Sequence, residues 1–345
     1  MKRREDSLKT QMIQRSEEPL KPLELYEGDT TTVVSTGSTL LDLAISGTRI
    51  RGGGIPIGIM VEVSGLEGIG KTVLLSEIGG AVKARNGDMV FFDPEGRINK
   101  HFARMFGVEL DDDNYDMPKT VVELFTRLRE WEPEREPAVA LADSLAALST
   151  EMEMESEDKM GGKRAKDFSQ ELRKTCLLLP QNKLLLVCTN QLRENMGGGP
   201  YSPKYVTPGG KAIPYYSSLR LRFHGSGKKV KKEVQIAGKK VERVVAIESE
   251  IEVIKSTVDK PYRTAPFKII FDYGVDDIGP NLQFIKKFTS NNTYTIGDDS
   301  LGRELDGAIK MIEEHGMENE LREQVINLWT DIESKFKQER KPKSR

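Results

Sequence analysis

The 345-residue sequence is poor in the residues that disulfide-rich or zinc-dependent proteins require, with two cysteines and three histidines. Cys176 and Cys188 both lie in apolar surroundings, so we expect buried free thiols rather than a disulfide or a metal site. Apolar runs fall short of the roughly 18 residues of a membrane span, and the charged start lacks the apolar segment of a secretory signal. These absences argue against membrane and secreted proteins, and we expect a cytoplasmic one.

An excess of charge of one sign is also missing, since 52 Lys and Arg residues face 54 Asp and Glu residues. The net charge of −2 therefore gives no sign of bulk attraction to nucleic acid, although local clusters remain open. The content of 37% hydrophobic and 7% aromatic residues is typical of a globular protein rather than a disordered one. A chain of this length corresponds to about two domains.

Short apolar runs alternate with amphipathic helical segments through the middle of the chain. The predicted strands lie at 58–63, 89–92, 138–142 and 184–188, and the predicted helices include 121–131 and 168–179. Further strands are predicted at 219–223, 244–254 and 267–271, with the basic segments GKKVKK and AGKKVE as turns, and two helices within 301–337. Alternating strands and helices predict an α/β fold, with a mostly parallel twisted sheet and helices on both faces.

Residues 65–72 match the pattern G-x-x-x-x-G-K-[ST] at every position, between a predicted strand and a predicted helix. The nucleotide-binding residues predicted from it are Gly65, Leu66, Glu67, Gly68, Ile69, Gly70, Lys71 and Thr72. Glycines let backbone N–H groups converge on phosphate oxygens, and the helix N-terminus adds partial positive charge. Lys71 would then reach the β- and γ-phosphates of ATP, and the Thr72 hydroxyl would bind Mg²⁺. A glycine-rich turn before an ordinary helix is the alternative.

Acidic residues follow two other predicted strands. Asp143, followed by Ser144, ends the 138–142 strand, where a carboxylate can bind Mg²⁺ at the ligand-binding edge of an open α/β sheet. Asp93 and Glu95 follow the 89–92 strand, and Glu95 is our candidate for the group that activates water, with Asp93 the weaker one. Helix capping is the alternative for each of these residues.

The order of these motifs resembles that of the RecA-type homologous recombinases of bacteria and phages, from about residue 31 to 330. STGSTLLDLAISG, VEVSGLEGIGKT, FFDPEGRINKHFARMFGVEL, ALADSLAAL, TNQLR, TPGGKA and IKSTVDKPYRTAPF occur in the family's order. The resemblance implies a RecA-like P-loop NTPase core at 31–275, a short N-terminal oligomerisation segment at 1–30, and a small C-terminal α/β domain with a basic tail at 276–345.

The resemblance also assigns roles in the ATP site. Lys71, Thr72 and Asp143 would bind nucleotide and Mg²⁺, and Glu95 would be the catalytic base. Phe102 stands where the family stacks an aromatic ring on adenine, with Asn99 nearby, although the family usually has Tyr and Asp there. Gln191 would sense the γ-phosphate directly before a Gly/Pro-rich loop. A structural amide that satisfies loop backbone is the alternative for Gln191.

Two DNA-binding loops are implied, at about 152–166 and 194–211. The candidate DNA contacts are Lys163, Arg164, Lys166, Arg173, Arg193, Gly209, Gly210 and Lys211, although the first loop is unusually acidic (EMEMESED). Lys255 matches one of two lysines that the family inserts into the ATP site of the neighbouring subunit, and would act there as a catalytic cation. The second position holds Thr257, and Lys260 is a candidate substitute with different spacing.

The function implied by this resemblance is that of an ATP-dependent DNA recombinase. It would form a helical filament on single-stranded DNA, pair that strand with homologous double-stranded DNA, and hydrolyse ATP in a DNA-stimulated manner. A single-stranded-DNA-binding protein and a loader are further candidate partners, and no membrane is expected. Two alternatives stay open: a hexameric helicase with the same core, and an ATP-switched DNA-coating or mediator protein without enzymatic turnover.

Overall fold

The computed structural model describes residues 32–150, 161–194, 205–337 and 340. The predicted N-terminal oligomerisation segment, most of the first DNA-binding loop, the middle of the second and the end of the basic tail lie outside these residues. The strands are β1 (Val33–Val34), β2 (Ile55–Pro56), β3 (Met60–Gly65), β4 (Asp88–Phe92), β5 (Tyr115–Asp116), β6 (Ala138–Ala142), β7 (Leu184–Gln191), β8 (Arg193–Glu194), β9 (Tyr205–Val206), β10 (Leu219–Ile236), β11 (Lys239–Ser256), β12 (Thr264–Ile270), β13 (Gly274–Val275), β14 (Tyr294–Ile296) and β15 (Asp299–Gly302).

Helices lie between half of the consecutive strands that the structure describes. They are α1 (Thr39–Ser46), α2 (Lys71–Lys83), α3 (Lys100–Met105), α4 (Val121–Glu130), α5 (Gly161–Gln181), α6 (Ala212–Tyr216), α7 (Ile278–Thr289), α8 (Leu305–His315) and α9 (Glu318–Ser334), with a 3-10 turn at Leu145–Ala147. The helices predicted at 121–131 and 168–179 and the pair predicted within 301–337 are confirmed, although α5 extends beyond both predicted ends. No helix within the described ranges combines the length and apolarity needed to cross a membrane.

One large sheet organises the protein, in the order β13-β12-β11-β10-β3-β7-β6-β4-β5. Pairing is parallel from β10 through β3, β7, β6 and β4 to β5, and antiparallel from β10 to β13. The parallel part follows from the β-strand, helix, β-strand alternation, because a crossover helix returns the chain to the same end of the sheet. The predicted fold class, a mostly parallel sheet between helices, is confirmed.

Both faces of this sheet are covered, which explains why its central strands are apolar throughout. Val61 and Val63 pack in the cluster on one face with α2, whereas Met60 of the same strand packs in the cluster on the other face with α4 and α5. Alternate residues of a strand point to opposite faces, so a strand buried on both sides reads as a continuous apolar run. Cys188 is buried and free, and Cys176 is half-buried and free.

The hairpin of β10 and β11 corrects the prediction that GKKVKK is a turn, and it narrows the turn predicted at AGKKVE to the first two residues of that segment. GKKVKK lies inside β10, and the chain turns at Ala237 and Gly238, after which β11 begins at Lys239. Adjacent lysines resemble a solvated turn in the sequence, whereas here they lie on both exposed faces of two paired strands, and this pairing is not visible in the composition. The hairpin is therefore much longer than predicted.

The elements after residue 276 pack on the side of the sheet that carries α1 and α2. Ile285, Ile312 and Val325 belong to the same hydrophobic cluster as the strands β3 and β10. Asp277, before α7, accepts hydrogen bonds from the Thr39 amide at 2.6 Å and hydroxyl at 2.7 Å, which ties α7 to α1. The division into a core at 31–275 and a C-terminal domain stays a prediction.

Candidate functional site

Four neighbouring parallel strands deliver their following loops to one edge of the sheet. The strands β3, β7, β6 and β4 lie side by side in this order and run in the same direction. The segment after β3 is the glycine-rich loop, the segments after β4 and β6 begin with Asp93 and Asp143, and β7 ends at Gln191. The carboxyl edge of an open α/β sheet is where such folds bind ligands.

The glycine-rich loop turns tightly into α2. Gly70 precedes the helix with φ 107°, a backbone conformation that favours glycine, and a Cβ there would also displace Ile269 Cδ1, 2.1 Å away. Ile69 is fully buried and anchors the loop in the core. The loop therefore leaves its backbone amides and the N-terminus of α2 available to a phosphate.

Lys71 is the first residue of α2 and is nine-tenths buried. Its Nζ donates to the carbonyls of Gly65 at 3.1 Å and Leu66 at 2.8 Å. Burial lowers the pKa of Lys71, and the carboxylates of Asp143, Glu67 and Glu95 partly oppose that effect. An ammonium held in this partly desolvated position interacts strongly with an anionic phosphate.

Asp143 receives hydrogen bonds from two hydroxyls. Thr72 Oγ1 donates to Oδ2 at 2.5 Å, and Thr189 Oγ1 donates to Oδ1. A hydroxyl and a carboxylate side by side are the hard oxygen ligands that Mg²⁺ prefers, and this ion usually takes its other ligands from water and substrate phosphates. Among the residues that the structure describes, no group of three or more His, Cys, Asp or Glu side chains could hold a metal ion.

Glu95 and Asp93, which follow the same strand, are held in different ways. Glu95 accepts from Ser144 Oγ at 2.9 Å and forms an ion pair with Arg97 at 2.9 Å. Asp93 is buried, accepts from the Ile98 amide at 2.9 Å and the Tyr115 hydroxyl at 3.0 Å, and thereby shapes the loop. Burial and the hydrogen bond to Asp93 raise the pKa of Tyr115 to about 12.

The Ser144 hydroxyl therefore joins the segments after β6 and β4, and it does not cap the 3-10 turn. Lys71 also lies within electrostatic reach of Glu95 and Asp143, so the structure brings together the predicted phosphate, metal and water-activating residues. Asn99 and Phe102 lie after this loop. Asn99 accepts from the His101 amide at 2.8 Å as the N-cap of α3, and Phe102 is half-buried with its ring 5.0 Å from that of Phe106.

Gln191 is directly paired with Gly65 in the register of β3 and β7. The Leu192 amide donates to the Gly65 carbonyl at 3.3 Å, which continues the contact by one residue. The glycine-rich loop and the Gly/Pro-rich segment therefore leave adjacent strands of one sheet at the same level.

A buried polar network beneath Gln191 was not predicted from the sequence. Asn190 Nδ2 donates to Glu62 Oε1 at 3.0 Å and to the Pro208 carbonyl at 3.1 Å, and Arg220 Nε donates to Glu62 Oε2 at 2.5 Å. Glu62 and Asn190 are fully buried. The only sequence signals are polar residues within apolar strand runs, at separations of 128 residues for Glu62 and Asn190 and 158 for Glu62 and Arg220.

The predicted DNA contacts of the first loop lie on α5. Lys166 and Arg173 are exposed, and Lys163 is half-buried. Arg164 Nη2 donates to the carbonyls of Leu145, at 3.1 Å, and Ala146, so it ties α5 to the turn after Asp143.

Predicted contacts of the second loop flank residues 195–204. Arg193 in β8 and Lys211 before α6 are exposed. Gly209 has φ 94°, and a Cβ there would lie 2.4 Å from Ile213 Cδ1, so this position requires glycine. Gly210 packs near Ala165 of α5. The returning end of this loop therefore rests on the helix that carries the other candidates.

Lys255 lies outside the group around Lys71. Its Nζ donates to the carbonyls of Pro214 at 2.8 Å and Tyr215 at 2.9 Å, and burial followed by repulsion from Arg220 lowers its pKa. The Thr257 amide donates to the Ser218 carbonyl, and Lys260 Nζ lies 3.7 Å from Glu333. The predicted role of Lys255 in a neighbouring subunit stays a prediction.

Comparison with known proteins agrees with this arrangement. Residues 19–276 match the RecA N-terminal domain family. Protein RecA of Methylococcus capsulatus is 31% identical over 291 residues, which cover 82% of this chain and 79% of that protein. Protein RecA of Thermus thermophilus is 34% identical over 254 residues (71% and 69%), and that of Colwellia psychrerythraea is 29% identical over 341 residues (92% and 92%). The predicted resemblance is confirmed, and the chain belongs to the RecA family of recombinases.

Proposed function

We propose that the protein is an ATP-dependent DNA recombinase that forms a helical filament on single-stranded DNA and pairs that strand with a homologous duplex. Family membership supports the reaction class. The observation that carries the proposal is the convergence of Lys71, Thr72, Asp143 and Glu95 at one edge of the sheet, beside Gln191. The Gly/Pro-rich segment that would bind DNA follows Gln191 directly at this same edge.

The ATP site uses each of these groups for a separate task. The amides of residues 65–72 and the Lys71 ammonium bind the phosphates, with Asn99 and Phe102 on the side of the base. Thr72 and Asp143 would hold Mg²⁺, which would supply neutralising charge to the phosphate oxygens. Glu95 takes a proton from the attacking water as the bond between the γ-phosphorus and the bridging oxygen breaks and ADP leaves.

Ser144 and Arg97 keep the Glu95 carboxylate in one orientation, because each occupies one of its oxygens. General bases act efficiently only when they are held within hydrogen-bond reach of the proton that they accept. Lys255, on another surface, supplies a cation to the site of a neighbouring protomer. These roles predict an ATP site completed by subunit contact.

The coupling between ATP and DNA rests on β7. Gln191 contacts the γ-phosphate. When hydrolysis removes that phosphate, the contact is lost and the segment after Gln191 is released. Lys163, Lys166, Arg173, Arg193 and Lys211 supply phosphate contacts, and Gly209 and Gly210 allow close approach of the backbone. Arg164 contributes by fixing α5 against the turn after Asp143.

ATP hydrolysis measured with and without single-stranded DNA tests this proposal. We expect DNA to stimulate the parent protein, Lys71→Ala to abolish hydrolysis and strand exchange, and Glu95→Gln to keep ATP binding while hydrolysis falls by about 10²-fold or more. Glu109→Gln is the matched control, since Glu109 is an exposed carboxylate on the same connection between β4 and β5.

Equal hydrolysis rates with and without DNA would contradict the proposal. Electron micrographs with single-stranded DNA and a non-hydrolysable ATP analogue provide the second readout, because closed rings would support a helicase and a helical filament a recombinase. Normal DNA release by Glu95→Gln would instead support a nucleotide-switched coating protein.

A further inference from the structure

The end of the β10–β11 hairpin projects beyond the sheet. The strand β10 pairs with β3 only at 219–222, and β11 pairs with β12 only at 246–252, whereas β10 and β11 pair with each other as far as Ile236 and Lys239. All residues from 231 to 240 are exposed. We call residues 231–244 the ribbon; its strands extend roughly 20 Å at about 3.4 Å per residue.

The two faces of the ribbon differ in charge. Directly opposed residues of an antiparallel pair share a face, and consecutive residues alternate. One face carries Lys231, Glu233, Lys240 and Glu242, which form the ion pairs Lys231–Glu242 at 2.6 Å and Lys240–Glu233 at 2.8 Å. This face, the paired face, is neutral by internal compensation.

The opposite face, the open face, has cations without acidic residues. It consists of Lys232, Val234, Ile236, Lys239, Val241 and Arg243. No carboxylate of the residues that the structure describes forms an ion pair with its three cations, and Arg243 Nη1 donates only to the backbone carbonyl of Glu242, at 3.0 Å. Val234 and Ile236 are 42% and 59% exposed, so the charges surround an apolar strip.

This combination fits the phosphate backbone of double-stranded DNA. The major groove of B-DNA is about 12 Å wide and admits a two-stranded β-ribbon, whose strands lie about 4.8 Å apart. Lysine and arginine at the edges of the ribbon reach phosphates on both sides of the groove, and aliphatic side chains contact the thymine methyl groups on its floor.

We propose that the open face of the ribbon is a duplex-binding arm, which inserts into the major groove of double-stranded DNA through Lys232, Lys239 and Arg243. The identity of the duplex as a partner rests on the proposed function, whereas the surface that binds it follows from the ribbon itself. The arm is separate from the residues around the phosphate-binding loop, so it holds duplex DNA without taking part in hydrolysis.

The test compares two ribbon variants with the parent protein. The open-face variant combines Lys232→Gln, Lys239→Gln and Arg243→Gln. The control combines Lys231→Gln, Glu233→Gln, Lys240→Gln and Glu242→Gln, which alters the paired face without changing the net charge. Binding of a short fluorescent duplex is measured by anisotropy as salt is raised from about 50 to about 200 mM.

We expect the slope of log affinity against log salt concentration to become shallower by about 2.7 in the open-face variant, since each phosphate contact contributes about 0.9. The control keeps the slope of the parent. Both variants should retain DNA-stimulated ATP hydrolysis, which shows that they fold.

A parental slope in the open-face variant overturns the inference. Loss of binding to polyglutamate with unchanged duplex binding also overturns it, because the ribbon would then be a site for an acidic protein. If the parent itself shows no DNA-stimulated hydrolysis, the proposed function fails, and the duplex slopes still decide the role of the ribbon.

Discussion

Replacing Asn190 by leucine removes both hydrogen bonds that its fully buried amide donates, and the one that it accepts from the Gln191 amide, while conserving its approximate size. The bond to Glu62 involves a buried charged acceptor and is worth about 1.5–3 kcal/mol, and an unpaired Pro208 carbonyl costs about 1–3 kcal/mol. Arg220 still pairs with Glu62, which keeps the sum near its lower end. We therefore expect Asn190→Leu to lower the free energy of unfolding by about 3 kcal/mol.

Urea unfolding followed by circular dichroism measures this loss, together with DNA-stimulated ATP hydrolysis. Because Asn190 also ties the segment at Pro208 to the sheet, we expect the stimulation by DNA to fall more than the hydrolysis rate without DNA. Asn182→Leu is the matched control at an exposed asparagine, and it should change stability by less than about 0.5 kcal/mol. Equal stability of Asn190→Leu and the parent would refute the assignment of this network as a structural tie.

Other predictions concern the phosphate-binding loop, a buried acid and the candidate base. Gly70→Ala should destabilise the protein and abolish ATP binding, because its φ of 107° is combined with a clash, whereas Gly68→Ala, at φ 72° with open space around it, should cost only about 1–2 kcal/mol in thermal unfolding. Burial raises the pKa of Asp42 from 3.8 to about 6. Between these two pH values the folded state binds more protons than the unfolded state, so the free energy of unfolding falls by roughly 3 kcal/mol as the pH rises through this window. Asp42→Asn should lack this pH-dependent fall in stability. Urea unfolding of the parent and the variant at about pH 4 and pH 7 measures the difference, and the same pH dependence in both proteins would exclude the role of Asp42. Ser144→Ala should reduce kcat by about tenfold with little change in KM for ATP, since its hydroxyl donates to Glu95 and orients that carboxylate; steady-state kinetics checks this, and an unchanged kcat would remove Ser144 from the site.

The parts of the protein that the sequence predicts best are those encoded by short-range pattern. The glycine-rich loop and Asp143 each follow an apolar run that forms a buried strand, and the shared edge of a parallel sheet brings them together. The sequence already favours Glu95 over Asp93 as the candidate base, and the structure adds that Asp93 accepts hydrogen bonds within its own loop whereas Glu95 accepts one from Ser144.

The parts that escaped prediction depend on pairing between distant segments. Glu62, Asn190 and Arg220 are far apart in sequence, and each taken alone is one polar residue in an apolar strand. The length of the hairpin was missed for a related reason, since lysine-rich composition favours a turn reading and the strand appears only when β10 and β11 are aligned.

The direct pairing of Gly65 with Gln191 has a consequence for how such a protein can be redesigned. The proposed nucleotide pocket and the proposed DNA-binding segment begin at one pair of residues on adjacent strands, about 4.8 Å apart, so no relay of side chains is needed between them. A pocket rebuilt for another triphosphate keeps its link to DNA as long as those two strands stay in step. A shift of the register between β3 and β7 by one residue would instead remove this coupling, even if the new ligand were bound tightly.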